Sequence, residues 1–143
     1  MAVPRIEHVN VTVSDPERAA ALMSRIFGWH VRWQGPARDG GRVIHLGSGE
    51  HYLALYAERN GAYPEGFAGQ GPLNHIGVEV EDLEAVEARV VEAGLTPFSH
   101  GDYEPGRRFY FLDPDGIEFE VVSYARQRPA GTQADQAPEL QSA

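Results

Sequence analysis

Two of the six histidines in this 143-residue chain stand at matched positions. Residues 6–13 read Ile-Glu-His-Val-Asn-Val-Thr-Val, and residues 73–80 read Leu-Asn-His-Ile-Gly-Val-Glu-Val. Each stretch alternates like a strand, carries its histidine third, and runs into an acidic helix start. Neutral imidazole is the commonest protein ligand for a divalent metal. A repeat that places His8 and His75 equivalently can bring both onto one ion across a pseudo-two-fold axis. His30, His45, His51 and His100 have no matched partner and read as surface or core residues rather than ligands.

The elements that must position these side chains follow from the same repeat. In the first half, a strand over 6–13 precedes a helix capped by Ser14 or Asp15, with Pro16 at its first position and an apolar stripe of Leu22, Met23, Ile26 and Phe27. Gly28 stops that helix. Strands then read over 29–34, 42–46 and 52–57. The second half repeats the order: a strand over 74–80, a helix over 83–93, a Gly94 stop, and strands near 96–99, 108–112 and 118–123. Asp113-Pro114-Asp115-Gly116 is a tight turn, and Asp113 and Asp115 serve to build it. Strand alternation puts Val9, Val11 and Val13 toward the helix and His8, Asn10 and Thr12 on the opposite face. It likewise groups His75 with Gly77 and Glu79, and Glu118 with Glu120 and Val122.

The fold class is therefore α+β: two tandem βαβββ modules forming a curved, partly open mixed sheet around a metal-binding cavity. The expected boundaries are a first module over 1–58, a Gly- and Pro-rich linker over 59–72, a second module over 73–125, and a polar, disordered tail over 126–143. The whole makes one domain over 4–125.

A formal net charge of -9 repels phosphate backbones, so nucleic acid is not an expected partner. The absence of cysteine excludes disulfides, zinc–thiolate sites and a thiol nucleophile. With no membrane-length apolar run and no leader-like start, a cytoplasmic protein without a membrane partner is expected.

The doubled β-α-β-β-β order, the histidine-bearing strands, and Phe109-Tyr110-Phe111-Leu112-Asp113-Pro114-Asp115-Gly116-Ile117-Glu118-Phe119-Glu120 resemble the vicinal oxygen chelate superfamily, which holds glyoxalase I, extradiol dioxygenases, fosfomycin-resistance thiol transferases, methylmalonyl-CoA epimerase and bleomycin-binding proteins. The resemblance implies metal ligands on the first and last strands of each module. Carried over by position, these are His8, His75 and Glu120, with Ala54 at the fourth place, where alanine cannot ligate. Two imidazoles and one carboxylate suit Fe(II) and dioxygen chemistry, the favoured expectation, and Mn(II), Ni(II) or Zn(II) are alternatives. The resemblance also gives Tyr110 a place beside the substrate, against its plain reading as a core aromatic. It gives His100 a place as a proton shuttle. Arg107 and Arg108 read either as guides for an anionic substrate or as a solvated rim.

Extradiol cleavage of a catecholic small molecule is the leading function on these grounds, since those enzymes also lack a fourth ligand. A thiol transferase like the fosfomycin-resistance proteins is the alternative, although Asn10 stands where that group carries threonine. Ala54 counts against glyoxalase I and the epimerase, and the ligand set counts against an antibiotic-binding protein. Exposed strand edges and the linker make a homodimer the expected assembly, with the site within one subunit or shared across two.

Overall fold

The computed structural model describes residues 3–38, 40–60, 73–103 and 106–124. Most of the expected linker, residue 125 and the expected tail over 126–143 lie outside them. The chain divides into two compact units, Met1–Phe67 and Ala68–Ala143.

The first unit has β1 (His8–Thr12), α1 (Pro16–Phe27), β2 (His30–Pro36), β3 (Arg42–Gly47) and β4 (Tyr52–Ala57). The Asp15 side chain caps α1 by accepting from the Arg18 N–H at 3.1 Å. Pro16, which has no N–H to leave unsatisfied, takes the first turn. Gly28 ends the helix at φ 76°, a left-handed conformation that favours glycine. The sheet order is β1-β4-β3-β2, with β1 parallel to β4 and the other pairs antiparallel. Ala19, Ala20, Met23 and Ile26 of α1 are buried together with Val11, Ile44, Leu46, Leu53 and Leu55 of the sheet.

The second unit repeats this plan with β5 (Ile76–Glu79), α2 (Leu83–Glu92), β6 (Phe98–Tyr103), β7 (Gly106–Leu112) and β8 (Glu118–Ser123), in the sheet order β5-β8-β7-β6. Asp82 caps α2 through the Ala85 N–H at 3.0 Å. Beyond α2, Gly94 at φ 88° lets the Leu95 N–H return to the Val90 carbonyl at 3.1 Å. The core here is aromatic. Phe109 and Phe111 are fully buried, and Phe111 stacks on Phe119 at 5.2 Å. The Asp113 carboxylate accepts from the Asp115 and Ile117 N–H groups at 2.8 and 2.9 Å, which builds the expected turn.

One element departs from expectation. The strand expected near 96–99 starts at Phe98 and runs to Tyr103. Gly101 and Asp102 look like turn formers, yet pairing with β7 draws them into the sheet edge. The cost is an irregularity between Phe98 and Gly101, where Ser99 takes φ 53°.

The ladders fix which residues of the two modules are equivalent. Asn10 pairs with Ala54 and Gly77 with Glu120, so Ala54 is the twin of Glu120 just as His8 is the twin of His75. His45 pairs with Ala54 and Tyr110 with Glu120, so His45 is the twin of Tyr110. Tyr52 is likewise the twin of Glu118. Among the described residues no helix is long and apolar enough to cross a membrane.

Candidate functional site

In the second module, the face away from α2 brings together His75, Tyr110 and Glu120. His75 stands just before β5, and Glu120 sits two residues into β8 with its side chain only 13% exposed. His75 Nε2 lies 3.0 Å from Glu120 Oε1. His75 Nδ1 lies 2.7 Å from the Asn74 side-chain oxygen, to which it donates its proton. A proton on Nε2 makes this contact an ion pair, and in the neutral ring a divalent ion can take that proton's place between Nε2 and the carboxylate. Metal–donor bonds of about 2.1 Å at right angles place two donor atoms about 3 Å apart. The pair therefore fits one edge of a divalent-metal site. Glu120 Oε2 accepts from Arg108 Nη1 at 2.6 Å, and this side chain also donates to the Gly106 carbonyl. One oxygen of Glu120 is thus held by the protein. The Tyr110 ring stands edge-on to His75 at 5.8 Å.

In the first module, the same face holds His8 in a different setting. His8 Nδ1 lies 3.0 Å from Glu7 Oε1, which again leaves Nε2 as the open nitrogen. The His8 hydrogen bond holds the Glu7 carboxyl below its ordinary value. The His8 ring stacks on Tyr52 at 4.8 Å, and Tyr52 stacks on His45 at 4.4 Å. Burial pushes the Tyr52 phenol up and His45 down, toward their neutral forms. Above these rings lies a cavity of about 530 Å³, lined among others by His8, Asn10, Thr12, His45, Ala54 and Tyr56.

Two of the residues singled out in the sequence, His100 and Arg107, belong elsewhere, and a third, Arg108, is tied to Glu120. His100 Nε2 bonds Glu87 of α2 at 2.6 Å, so His100 lies on the helix side of its sheet and not with Tyr110 and Glu120. Arg107 is clamped to Glu84 of α2, on that same side. Arg108 is committed to Glu120. Both arginines are ion-paired within the second module and do not form a solvated rim. His45 was read as an ordinary histidine, although its place in the ladder puts it in the cavity. Aligning the third strand of each module on the Ala54–Glu120 match would have found it. Among the described residues of either module, no three His, Asp or Glu side chains gather as a metal cage.

The profile of the Glyoxalase/Bleomycin resistance protein/Dioxygenase superfamily matches residues 5–121, and the chain belongs to that superfamily. Among curated proteins, it is 29% identical over 121 residues to a glutathione transferase FosA of Serratia marcescens, covering 81% of this chain and 78% of that protein. Among solved structures, a domain of the same superfamily from Frankia sp. superposes with a TM-score of 0.72 at 22% identity, covering 85% of this chain and 98% of that one. A mutant of the fosfomycin resistance protein FosX from Listeria monocytogenes, complexed with Mn(II) and 1S,2S-dihydroxypropylphosphonic acid, superposes with a TM-score of 0.66 at 15% identity, covering 85% and 90%.

Proposed function

We propose that this chain is a divalent-metal-dependent enzyme that holds one ion through His8, His75 and Glu120. Its substrate is a small molecule that chelates through two oxygens, and the reaction is a non-redox addition of the kind run by fosfomycin-resistance proteins. The observation that carries this reading is the His75–Glu120 pair, with Nε2 and Oε1 3.0 Å apart and the His75 Nδ1 proton already committed to Asn74. The relationship to a glutathione transferase favours addition over oxygenation. A bound divalent ion supplies Lewis-acid polarisation of the substrate oxygens. Mn(II) is the first ion to test, because the related FosX was solved with it. Fe(II), Ni(II) and Zn(II) are the other candidates.

The chain's own side chains complete the site. Asn74 and Glu7 keep the two histidines in the tautomer that presents Nε2. Arg108 holds one oxygen of Glu120 and leaves the other for the ion. Tyr110, on the same face, donates a hydrogen bond to a substrate oxygen that gains negative charge. The attacking group is a thiol or water supplied with the substrate, since the chain has no cysteine.

Extradiol-type oxygenation is a second reading, favoured by one feature. Ala54 stands where a fourth carboxylate would be, so three metal positions stay open. The deciding experiment assays Mn(II)- and Fe(II)-loaded protein on fosfomycin with glutathione or with water, beside oxygen uptake on a panel of catechols. Adduct or diol formation supports the first reading. Oxygen uptake with Fe(II) and a catechol alone supports the second. We also propose a homodimer. Sedimentation at micromolar concentration tests it, and a monomer that keeps its metal counts against it.

A further inference from the structure

We propose that Arg108 is a positioning residue that restricts Glu120 to ligation through one oxygen, and so sets how many places on the ion are left to the substrate. This rests on the metal reading above.

A carboxylate can hold a divalent ion through one oxygen or through both. Ala54 therefore leaves three places open on a six-coordinate ion only when Glu120 uses one oxygen. A Glu120 that turned both oxygens to the ion would close one of those places. A substrate chelating through two oxygens would then fill the rest. The orientation of one side chain thus determines whether anything can bind beside the chelate.

The pairing keeps the two oxygens apart in role. Arg108 Nη1 donates to Glu120 Oε2 at 2.6 Å, while Oε1 is the oxygen that lies 3.0 Å from His75 Nε2. The side chains of Arg108 and Glu120 are 14% and 13% exposed, so water competes poorly for either. Turning Oε2 to the ion would give up a charge-assisted bond between two largely buried groups, which costs more than losing an exposed pair.

The guanidinium is also held from behind. Its Nε and Nη2 donate to the Gly106 carbonyl at 3.3 and 3.2 Å. The backbone at Gly106 is itself pressed against the end of β8. A Cβ there would stand 2.6 Å from the Ser123 carbonyl oxygen and 2.9 Å from the Tyr124 ring. Glycine permits this approach, and the anchoring carbonyl is fixed by it.

The fold does not call for an arginine at this place. The ladders put the buried Val43 at the equivalent position of the first module, where Ala54 stands in place of Glu120. The cation accompanies the carboxylate and is absent where the carboxylate is absent.

Water-proton relaxation of Mn(II)-loaded protein tests this, because it counts the exchangeable waters on the ion. The wild type is expected to show about three. Arg108→Leu should keep its Mn(II) and show about two, as Glu120 supplies its second oxygen. Arg108→Lys, which restores a cationic donor, should return the wild-type count. Acetohydroxamate, a two-oxygen chelator, should leave about one water on the wild-type ion and none in Arg108→Leu. Equal counts in the wild type and Arg108→Leu overturn the proposal while the metal reading stands. So does a wild-type ion with about two waters or fewer, which settles the matter even if Arg108→Leu fails to fold. Wild-type protein that holds no Mn(II) through dialysis overturns the metal reading, and the proposal with it.

Discussion

His8 lies against the ring of Tyr52, whereas its twin His75 faces the carboxylates of Glu118 and Glu120 at 4.0 and 3.0 Å. The backbone register around the two histidines is the same. What differs is the chemistry on the inner face of each sheet. Where the second module carries Glu118, Glu120, Tyr110 and Arg108, the first carries Tyr52, Ala54, His45 and Val43. One face is built of charges and the other of rings. The helix side has not diverged in this way. Glu17 of α1 bonds Arg42 of β3, and Glu84 of α2 bonds Arg107 of β7, at equivalent places in the two ladders. The doubled fold thus keeps its packing clamps and divides the work of the inner face. One module presents a carboxylate on that face, and the other presents space.

Erasing that division should have the largest effect. Ala54→Glu puts a carboxylate where a buried methyl stands. Without an ion, the uncompensated buried charge should cost about 3 kcal/mol or more. Mn(II) should recover part of the loss by taking the new carboxylate as a ligand. Thermal unfolding with and without Mn(II) measures both effects. A variant as stable as wild type without metal would mean that position 54 does not face the cavity.

Next in size is the control of tautomers. Asn74→Leu should weaken Mn(II) binding by about 10- to 100-fold, and Asn74→Asp should retain it. Glu7→Leu should do the same through His8. Calorimetric titration reads each, and a loss confined to one module would show that the two histidines do not contribute alike.

Tyr110→Phe removes one hydroxyl from the charged face. Turnover should fall by about tenfold, the worth of one neutral hydrogen bond, with KM nearly constant. The steady-state rate on the substrate found by the activity screen checks it.

The smallest effects belong to the clamps. Glu17 and Glu84 both titrate below the ordinary value of 4.5, chiefly through the hydrogen bonds from Arg42 and Arg107. Their contribution is complete above that value and is lost as pH falls through the lower folded value. Glu17→Gln and Glu84→Gln should each cost about 0.2–1 kcal/mol near neutrality, because both pairs are partly exposed. Each variant should also lose part of the acid sensitivity. Urea unfolding at pH 7 and at pH 3.5 measures the pair, and equal costs in the two modules would confirm that the clamps are true twins.

The division between what the sequence revealed and what it hid follows from which signals are local. Strand alternation, Asp15 and Asp82 caps, and Gly28 and Gly94 stops are written in neighbouring residues. The two βαβββ modules were legible from them, as was the turn at Asp113. The match of Ala54 to Glu120 was legible because β4 and β8 repeat in step. The partners of Arg107, Arg108 and His100 were not. Each is chosen by a side chain 12 to 23 positions away on another element. His100 looked like a proton shuttle, and a carboxylate on α2 claims it. His45 went unnoticed because a histidine on a strand carries no mark of its face until its partner strand is aligned.

The central claim is that both modules contribute to one metal centre, and Mn(II) stoichiometry in equilibrium dialysis tests it most directly. Wild-type protein is compared with His8→Ala, His75→Ala and Glu120→Ala, each checked for native circular dichroism. The account predicts one ion per chain in the wild type and loss of tight binding in all three variants. A His8→Ala protein that still binds one ion per chain with wild-type affinity would contradict it, because the second module would then hold the ion without the first.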